Sequence, residues 1–355
     1  MVTPINKNSS PRKGDLNLKI VSSQQKQASS PKTPRSKSLG DRFYRYTGEK
    51  LKWWQVMFRI IGTVIPHILP WVLLCGAYGL VISLLDHFGH LSSVDDIKAL
   101  PQIVVALNVV LSLLLVFRTN TAHDHFWEGR KLWGSMVNRA RNLSRGIWIY
   151  IQERESSDRT EKEKSMKLVA AFPIAMKLHL RREAMNSELE PLLSPQQYER
   201  ILQTSHGPLE IAFWIGDYLQ HQYERQNLHI FQLTDLQKMV DDSVDILGAC
   251  ERILKTPVPL IYTITLKILL FVYFLIVPLG LVESLGWETG PAMAFISLMF
   301  LTINEIGSEI EEPFGKDPND LPLDFICNTI QRNVEDLIYH APSSSQLGFR
   351  SRKVA

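Results

Sequence analysis

The apolar residues of this chain gather into four long runs, and most of its charge lies between them. The second run is the most informative. Ala99 to Phe117 is 19 residues without a charged side chain, and Arg118 then opens an aromatic and basic stretch that includes Trp127, Arg130, Lys131, Trp133, Arg139, Arg141 and Arg145. As a helix rising ~1.5 Å per residue, such a run is about long enough to cross a ~30 Å hydrocarbon layer. Asn108 and Ser112 are four positions apart and share a helix face, and Val109, Leu113 and Phe117 form a neighbouring stripe at the same spacing. The pattern predicts a pore-lining span that meets the cytosol at Arg118. An ordinary lipid-embedded helix with a tryptophan anchor at the interface fits the same pattern.

The other runs fall at about 60–85, 258–282 and 289–304. The first carries Pro66 and Pro70, four apart, which predict a kink or break near its start. The third contains Lys267, whose charge costs a few kcal/mol inside a span unless it snorkels, pairs or faces water. The last is the shortest and is bracketed by Glu288 and Glu305. With 99–117, these give an all-α membrane protein of four transmembrane helices. The loop after the first run (Asp86, Asp95, Asp96, Lys98) leans acidic, whereas the region from Arg118 to Thr256 begins strongly basic. By the positive-inside rule both termini and a body at 118–256 face the cytosol. Within that body Arg118–Ile151, Met166–Leu180, Glu210–Gln226 and Leu233–Leu254 read as helices, and Ser156–Lys164 reads as a turn. No alternating strand pattern appears.

Residues 1–44 read as a disordered basic tail. Met1 to Lys52 holds twelve Lys and Arg against three acids, with much Ser and Pro and little apolar patterning. The segment lacks the apolar core of a secretory signal. Its Ser-rich, acid-poor character leaves a plastid transit peptide open, but a solvated tail that touches anionic lipid headgroups is favoured. Residues 341–355 read as a flexible C-terminal tail. The formal net charge of +3 is mild and gives no reason to expect a nucleic-acid partner. Cys75, Cys250 and Cys327 are widely separated and read as free thiols, with no zinc pattern.

Three motifs could carry chemistry. Asp241-Asp242-Ser-Val-Asp245 matches the DDxxD pattern by which membrane prenyltransferases hold Mg²⁺ on a diphosphate, although a solvated helix face explains it more simply. His123-Asp124-His125 places three consecutive helix residues in different directions and is a poor chelate. Glu305, Glu309 and Glu312 share a face just inside the last run, next to Pro313-Phe-Gly315. Glu309 and Glu312, with Asp317 and Asp320, form a weak candidate cation site. No catalytic residue is expected.

Phe117-Arg-Thr-Asn-Thr-Ala-His-Asp-His-Phe-Trp-Glu-Gly-Arg-Lys-Leu-Trp133, with Asn138 and Arg141-Asn-Leu143, resembles the signature of bestrophins in the bacterial and plant thylakoid branch. Gly248-Ala-Cys-Glu-Arg252 with Thr256-Pro257, and the stretch Glu312 to Asp324, are similarly close, so the resemblance spans roughly 45–340. It implies a homopentameric ion channel whose subunits each supply four spans and a helical cytosolic body around one axial pore. The family's apolar neck then falls on Val109, Leu113 and Phe117. In animal bestrophins an acidic run after Pro-Phe-Gly clasps Ca²⁺. Here Lys316, Pro318 and Asn319 interrupt it, so no cofactor and no Ca²⁺ activation are expected. His125-Phe126 stands where most relatives have Arg-Trp, which would make an ion pair there absent or pH-dependent.

The expected function is therefore a passive anion channel for chloride and other small anions, not an enzyme. Asn108 and Ser112 would line its pore, Arg118 would form a ring of positive charge at the inner mouth, and the expected partners are copies of itself and membrane lipid. A cation-conducting relative, and less readily a prenyltransferase built on Asp241 and Asp242, are the alternatives. The membrane is expected to be the cell inner membrane, or the thylakoid membrane in a photosynthetic organism.

Overall fold

A computed structural model describes residues 64–90, 99–317 and 319–340. The tail 1–44, the start of the first apolar run and the C-terminal tail 341–355 lie outside the described residues. The α-helices among them are α1 (Ile65–His87), α2 (Leu100–Tyr150), α3 (Asp158–Leu180), α4 (Pro195–Gln203), α5 (Gly207–Glu224), α6 (Ile230–Lys255), α7 (Leu260–Leu285), α8 (Thr289–Glu311) and α9 (Leu323–His340). No strand occurs among the described residues. Three stretches are long and apolar enough to cross a membrane: 65–87, 100–150, and 230–311, the last of which contains both α7 and α8.

Local chemistry explains most of the helix ends. Pro66 sits in the first turn of α1, where no intrahelical N–H is required, and the helix continues through Pro70 to His87 instead of breaking there. α4 opens on a capping box in which Ser194 and Gln197 each satisfy the other's backbone. α6 stops at Lys255, and the chain re-enters a helix only after Pro257 and Pro259.

Two elements differ from the sequence-based expectation. The predicted span 99–117 and the amphipathic helix after it are one unbroken helix of 51 residues, because no Gly or Pro interrupts the chain between Arg118 and Glu128. Also, α3 starts at Asp158 within the expected turn. Asp158 Oδ2 accepts the N–H groups of Arg154 and Glu155, both at 2.8 Å, and Oδ1 lies 2.8 Å from Arg225 on the end of α5. Burial works against its charge, but those N–H donors and Arg225 hold the carboxyl below the usual range.

Packing divides into two cores. The larger joins the lower part of α2 to α3, α5, α6 and α9 through Trp133, Met136, Ile147, Met176, Ile215 and Leu236. Lys177, itself buried, ties α3 to the start of α9 through Asp324 at 2.7 Å and to Glu188 at 2.6 Å. The smaller core holds α2, α7 and α8 together through Leu111, Leu115, Leu266, Leu270, Tyr273 and Met293.

α1 packs extensively along α8, where Gly76, Gly79 and Gly290 let the backbones approach. A Cβ at Gly79 would lie 3.0 Å from the Thr289 carbonyl oxygen and from the Met293 side chain. A backbone atom cannot swing aside as a side-chain tip can. Gly79→Val should therefore cost about 1–3 kcal/mol by overpacking, read as a lower unfolding temperature in detergent. Gly134→Ala, in α2 with nothing within 4 Å of the new Cβ, should be neutral or stabilising by comparison.

Candidate functional site

The upper part of α2 has two unlike faces. Leu111 and Leu115 are at most 2% exposed, packed among α7 and α8. On the other side Val109, Leu113 and Phe117 are 62%, 54% and 56% exposed, a stripe within a broader exposed face that also holds Val110 and Val116. Val105, 63% exposed, extends that stripe by one turn. The same i, i+4 spacing that selected the other three would have reached it.

The polar residues expected beside the stripe behave differently. Ser112 is exposed. Asn108 is exposed too, but its Oδ1 accepts the Tyr273 hydroxyl of α7 at 3.3 Å, so the amide is engaged within the subunit.

Arg118 requires a correction. It is not an open charge at a pore mouth but is 3% exposed and turned into α8. Its guanidinium donates to Asn304 Oδ1 and, at 2.7 Å, to Ser308 Oγ, with Glu311 at 3.7 Å. Glu311 also accepts the Val258 N–H at 2.9 Å, so one carboxylate fixes both Arg118 and the chain leading into α7. Asn304, Ser308 and Glu311 were not anticipated. Their spacing puts them on one face of α8 immediately below its apolar turns, and that was the available signal. The exposed positions that follow Phe117 on α2 are Asn120, Thr121, His123 and Asp124.

Below the clamp, Pro313-Phe314-Gly315 wedges against α2. Phe314 is buried, and a Cβ at Gly129 would come within 3.0 Å of its ring. Arg181 holds this loop by donating to the carbonyls of Phe314 and Gly315 at 3.3 and 3.1 Å.

The candidate cation site does not assemble as a set of free oxygens. Asp320 Oδ2 accepts the Asp317 N–H at 2.7 Å, closing the loop on itself, and Glu309 accepts from the Asn319 side-chain amide at 2.6 Å. Glu312 is not brought into these bonds, and Lys316 pairs outward with Glu183 at 2.7 Å. Burial, then the nearby charges of Asp317 and Glu309, push Asp320 up to about 6 against the opposing Asp317 N–H and Arg181. In the DDxxD stretch Asp242 pairs with Arg139 of α2 at 2.9 Å. His123 and Asp124 are exposed, and His125 is half-buried with Nδ1 lacking a hydrogen-bond partner.

Residues 45–336 match the family described as "Bacterial/Fungal Bestrophin protein". A voltage-dependent anion channel-forming protein of Nostoc sp. is 48% identical over 297 residues, 84% of this chain and 95% of that protein. Its counterpart in Synechocystis sp. is 47% identical over 82% of this chain and 93% of its own. A crystal structure of a bacterial bestrophin homolog from Klebsiella pneumoniae superposes with a TM-score of 0.69 at 26% identity, covering 76% of this chain and 98% of that one.

Two outcomes check this geometry. Arg118→Ala removes a buried guanidinium from Asn304, Ser308 and the mostly covered Glu311 and should cost about 3 kcal/mol. Thermal unfolding of the pair Arg118→Met with Glu311→Gln should recover most of that loss. For Asp320, a folded pKa raised from 3.8 to about 6 means that the folded state prefers the protonated form. Its contribution is full below pH ~4 and is lost as pH rises through ~6. Asp320→Asn, whose Oδ1 can still accept the Asp317 N–H, should therefore raise stability at pH 7. The gain should be roughly 1 kcal/mol once solvent screening of a partly exposed group is discounted, and it should vanish near pH 4.

Proposed function

Because the chain belongs to the bestrophin family, we propose that it is an anion channel of the membrane, conducting chloride passively through a homopentamer with one axial pore. It is a member of a channel family and not an enzyme. The observation that carries the proposal is the exposed stripe Val109, Leu113 and Phe117 on a helix whose opposite face is packed at Leu111, Leu115 and Arg118. The helices of one subunit are too few to enclose a wide path, so the path belongs to a symmetric assembly in which the stripe faces the axis. In that arrangement α1, the upper part of α2, α7 and α8 are the four spans, with both termini and the body on the cytosolic side.

In such an assembly the neck works by exclusion. Five copies of each apolar side chain give rings that offer an ion nothing in place of its hydration shell, so a narrow dry neck is closed and a wet one is open. Anion preference then comes from somewhere other than a ring of Arg118, which is occupied by α8. The relatives' description as anion channel-forming supports anions over cations. Asn108 accepts the Tyr273 hydroxyl through Oδ1, which leaves its N–H donors for a partly dehydrated anion.

Purified protein in a planar bilayer with a KCl gradient should give currents that reverse near the chloride equilibrium potential. Reversal near that of potassium would contradict the anion reading, and no current would contradict the channel. Replacing Val109, Leu113 and Phe117 together by Ala should raise open probability while shifting the reversal potential little, because hydrophobic rings gate and charges discriminate. A triple variant that conducts like the wild type would remove these residues from the neck.

A further inference from the structure

Three helices of the body, α3, α5 and α6, meet at one point away from the residues named for the neck. His179 lies in the last turn of α3, His206 is the residue on which α5 is capped, and Glu251 lies near the end of α6. Both imidazole Nε2 atoms point at one carboxylate oxygen, Glu251 Oε1, at 2.8 Å from His179 and 3.0 Å from His206. The rings lie face to face, tilted by 34°, with centroids 4.4 Å apart. One ligand atom from each residue lies within 4.8 Å of the other two. Among the described residues this is the one such grouping of three. It is contributed by residues far apart in sequence, which is why spacing patterns do not reveal it.

We propose that His179, His206 and Glu251 form a binding site for a divalent transition-metal ion of the zinc type, independent of the conduction path. Two imidazoles and a carboxylate are a zinc donor set, and three protein ligands leave a fourth position for water. The side chains are 25%, 35% and 17% exposed, so the site is open on one side for entry yet fixed by packing on the others. With metal–ligand bonds of ~2.0–2.1 Å, tetrahedral coordination separates ligand atoms by about 3.3 Å. The two His–Glu251 separations of 2.8 and 3.0 Å need to widen by a few tenths of an ångström, and the two imidazole nitrogens, within 4.8 Å of each other, need to settle to a similar spacing. The shared hydrogen bonds to Glu251 Oε1 are the bonds that a metal ion replaces. A calcium or magnesium ion is disfavoured, because hard cations take oxygen ligands in preference to imidazole.

Two groups compete with the metal, and both can yield. Lys255 sits on the other carboxylate oxygen, Oε2, at 2.8 Å, and with its side chain 69% exposed it can turn into solvent. His206 Nδ1 accepts the Leu209 N–H at 3.3 Å, whereas a metal on Nε2 requires Nδ1 to carry the proton. That cap is exposed, so water can take over the Leu209 N–H. Bound metal would bridge α3, α5 and α6 and so stiffen the body from which α2 emerges.

The test uses the full-length protein in detergent, freed of metal with chelator, and isothermal titration with Zn²⁺. One ion per subunit should bind with a rise in unfolding temperature, and Ca²⁺ should do neither. His206→Asn keeps a good helix cap and His179→Gln keeps a donor to Glu251, so both should fold while binding Zn²⁺ at least tenfold more weakly. Co²⁺ bound to the wild-type protein should show the absorption of four-coordinate cobalt, a readout that does not depend on any variant folding. Unchanged affinity in both variants, or no Zn²⁺ uptake by the wild type, would overturn the assignment. Channel currents are not part of this readout, so the site and the pore stand or fall separately.

Discussion

A single arginine beneath an apolar span must find partners or pull the span toward water, and this requirement sets the rotation of α2. Arg118 meets it with Asn304, Ser308 and Glu311 on α8. Once that side chain points into α8, the positions three, four and seven residues away on the same face, Leu115, Ala122 and Leu111, must point inward too, and all are buried. Val109, Leu113 and Phe117 lie on the opposite side of the cylinder and are left uncovered. The positive charge that a reading of the sequence assigns to the ion path serves instead to aim the apolar stripe.

The continuity of α2 carries that aim into the body. Below the clamp the same helix is held by Phe314 against Gly129, by Arg252 on Glu128 at 2.7 Å, and by Asp242 on Arg139 at 2.9 Å. These contacts come from the α8–α9 loop and from α6. The exposed ion pairs contribute little stability on their own. Their effect is to fix the azimuth of a helix whose upper end carries the stripe.

Much of this was legible in the sequence because membrane spans are written as composition, and helix faces as a spacing of three and four. The apolar runs, the absence of strands among the described residues, the break at Pro257 and the exposed apolar face of α2 all follow from those two rules. Arg118 was misread because a basic residue at the end of a span ordinarily marks the interface, whereas here its partners Asn304 and Ser308 lie 186 and 190 positions away. Glu305, Glu309 and Glu312 share a face of α8, whereas Glu311, off that face, is the carboxylate that faces Arg118. Asp158 begins α3 early for a similar reason: its cation, Arg225, is supplied by the distant end of α5. Tertiary partners of charged residues leave no local pattern, and those were the points at which the reading failed.

The account depends most on the two faces of α2 meeting different surroundings in the assembled protein. Single cysteines at positions 113 and 115, in a background with Cys75, Cys250 and Cys327 replaced, can be challenged with a charged thiol reagent during bilayer recording. Modification of Leu113→Cys should alter the current within seconds of channel opening, and Leu115→Cys should not respond. Equal responses at both positions, or a response at 115 alone, would contradict the assignment of the stripe to the conduction path.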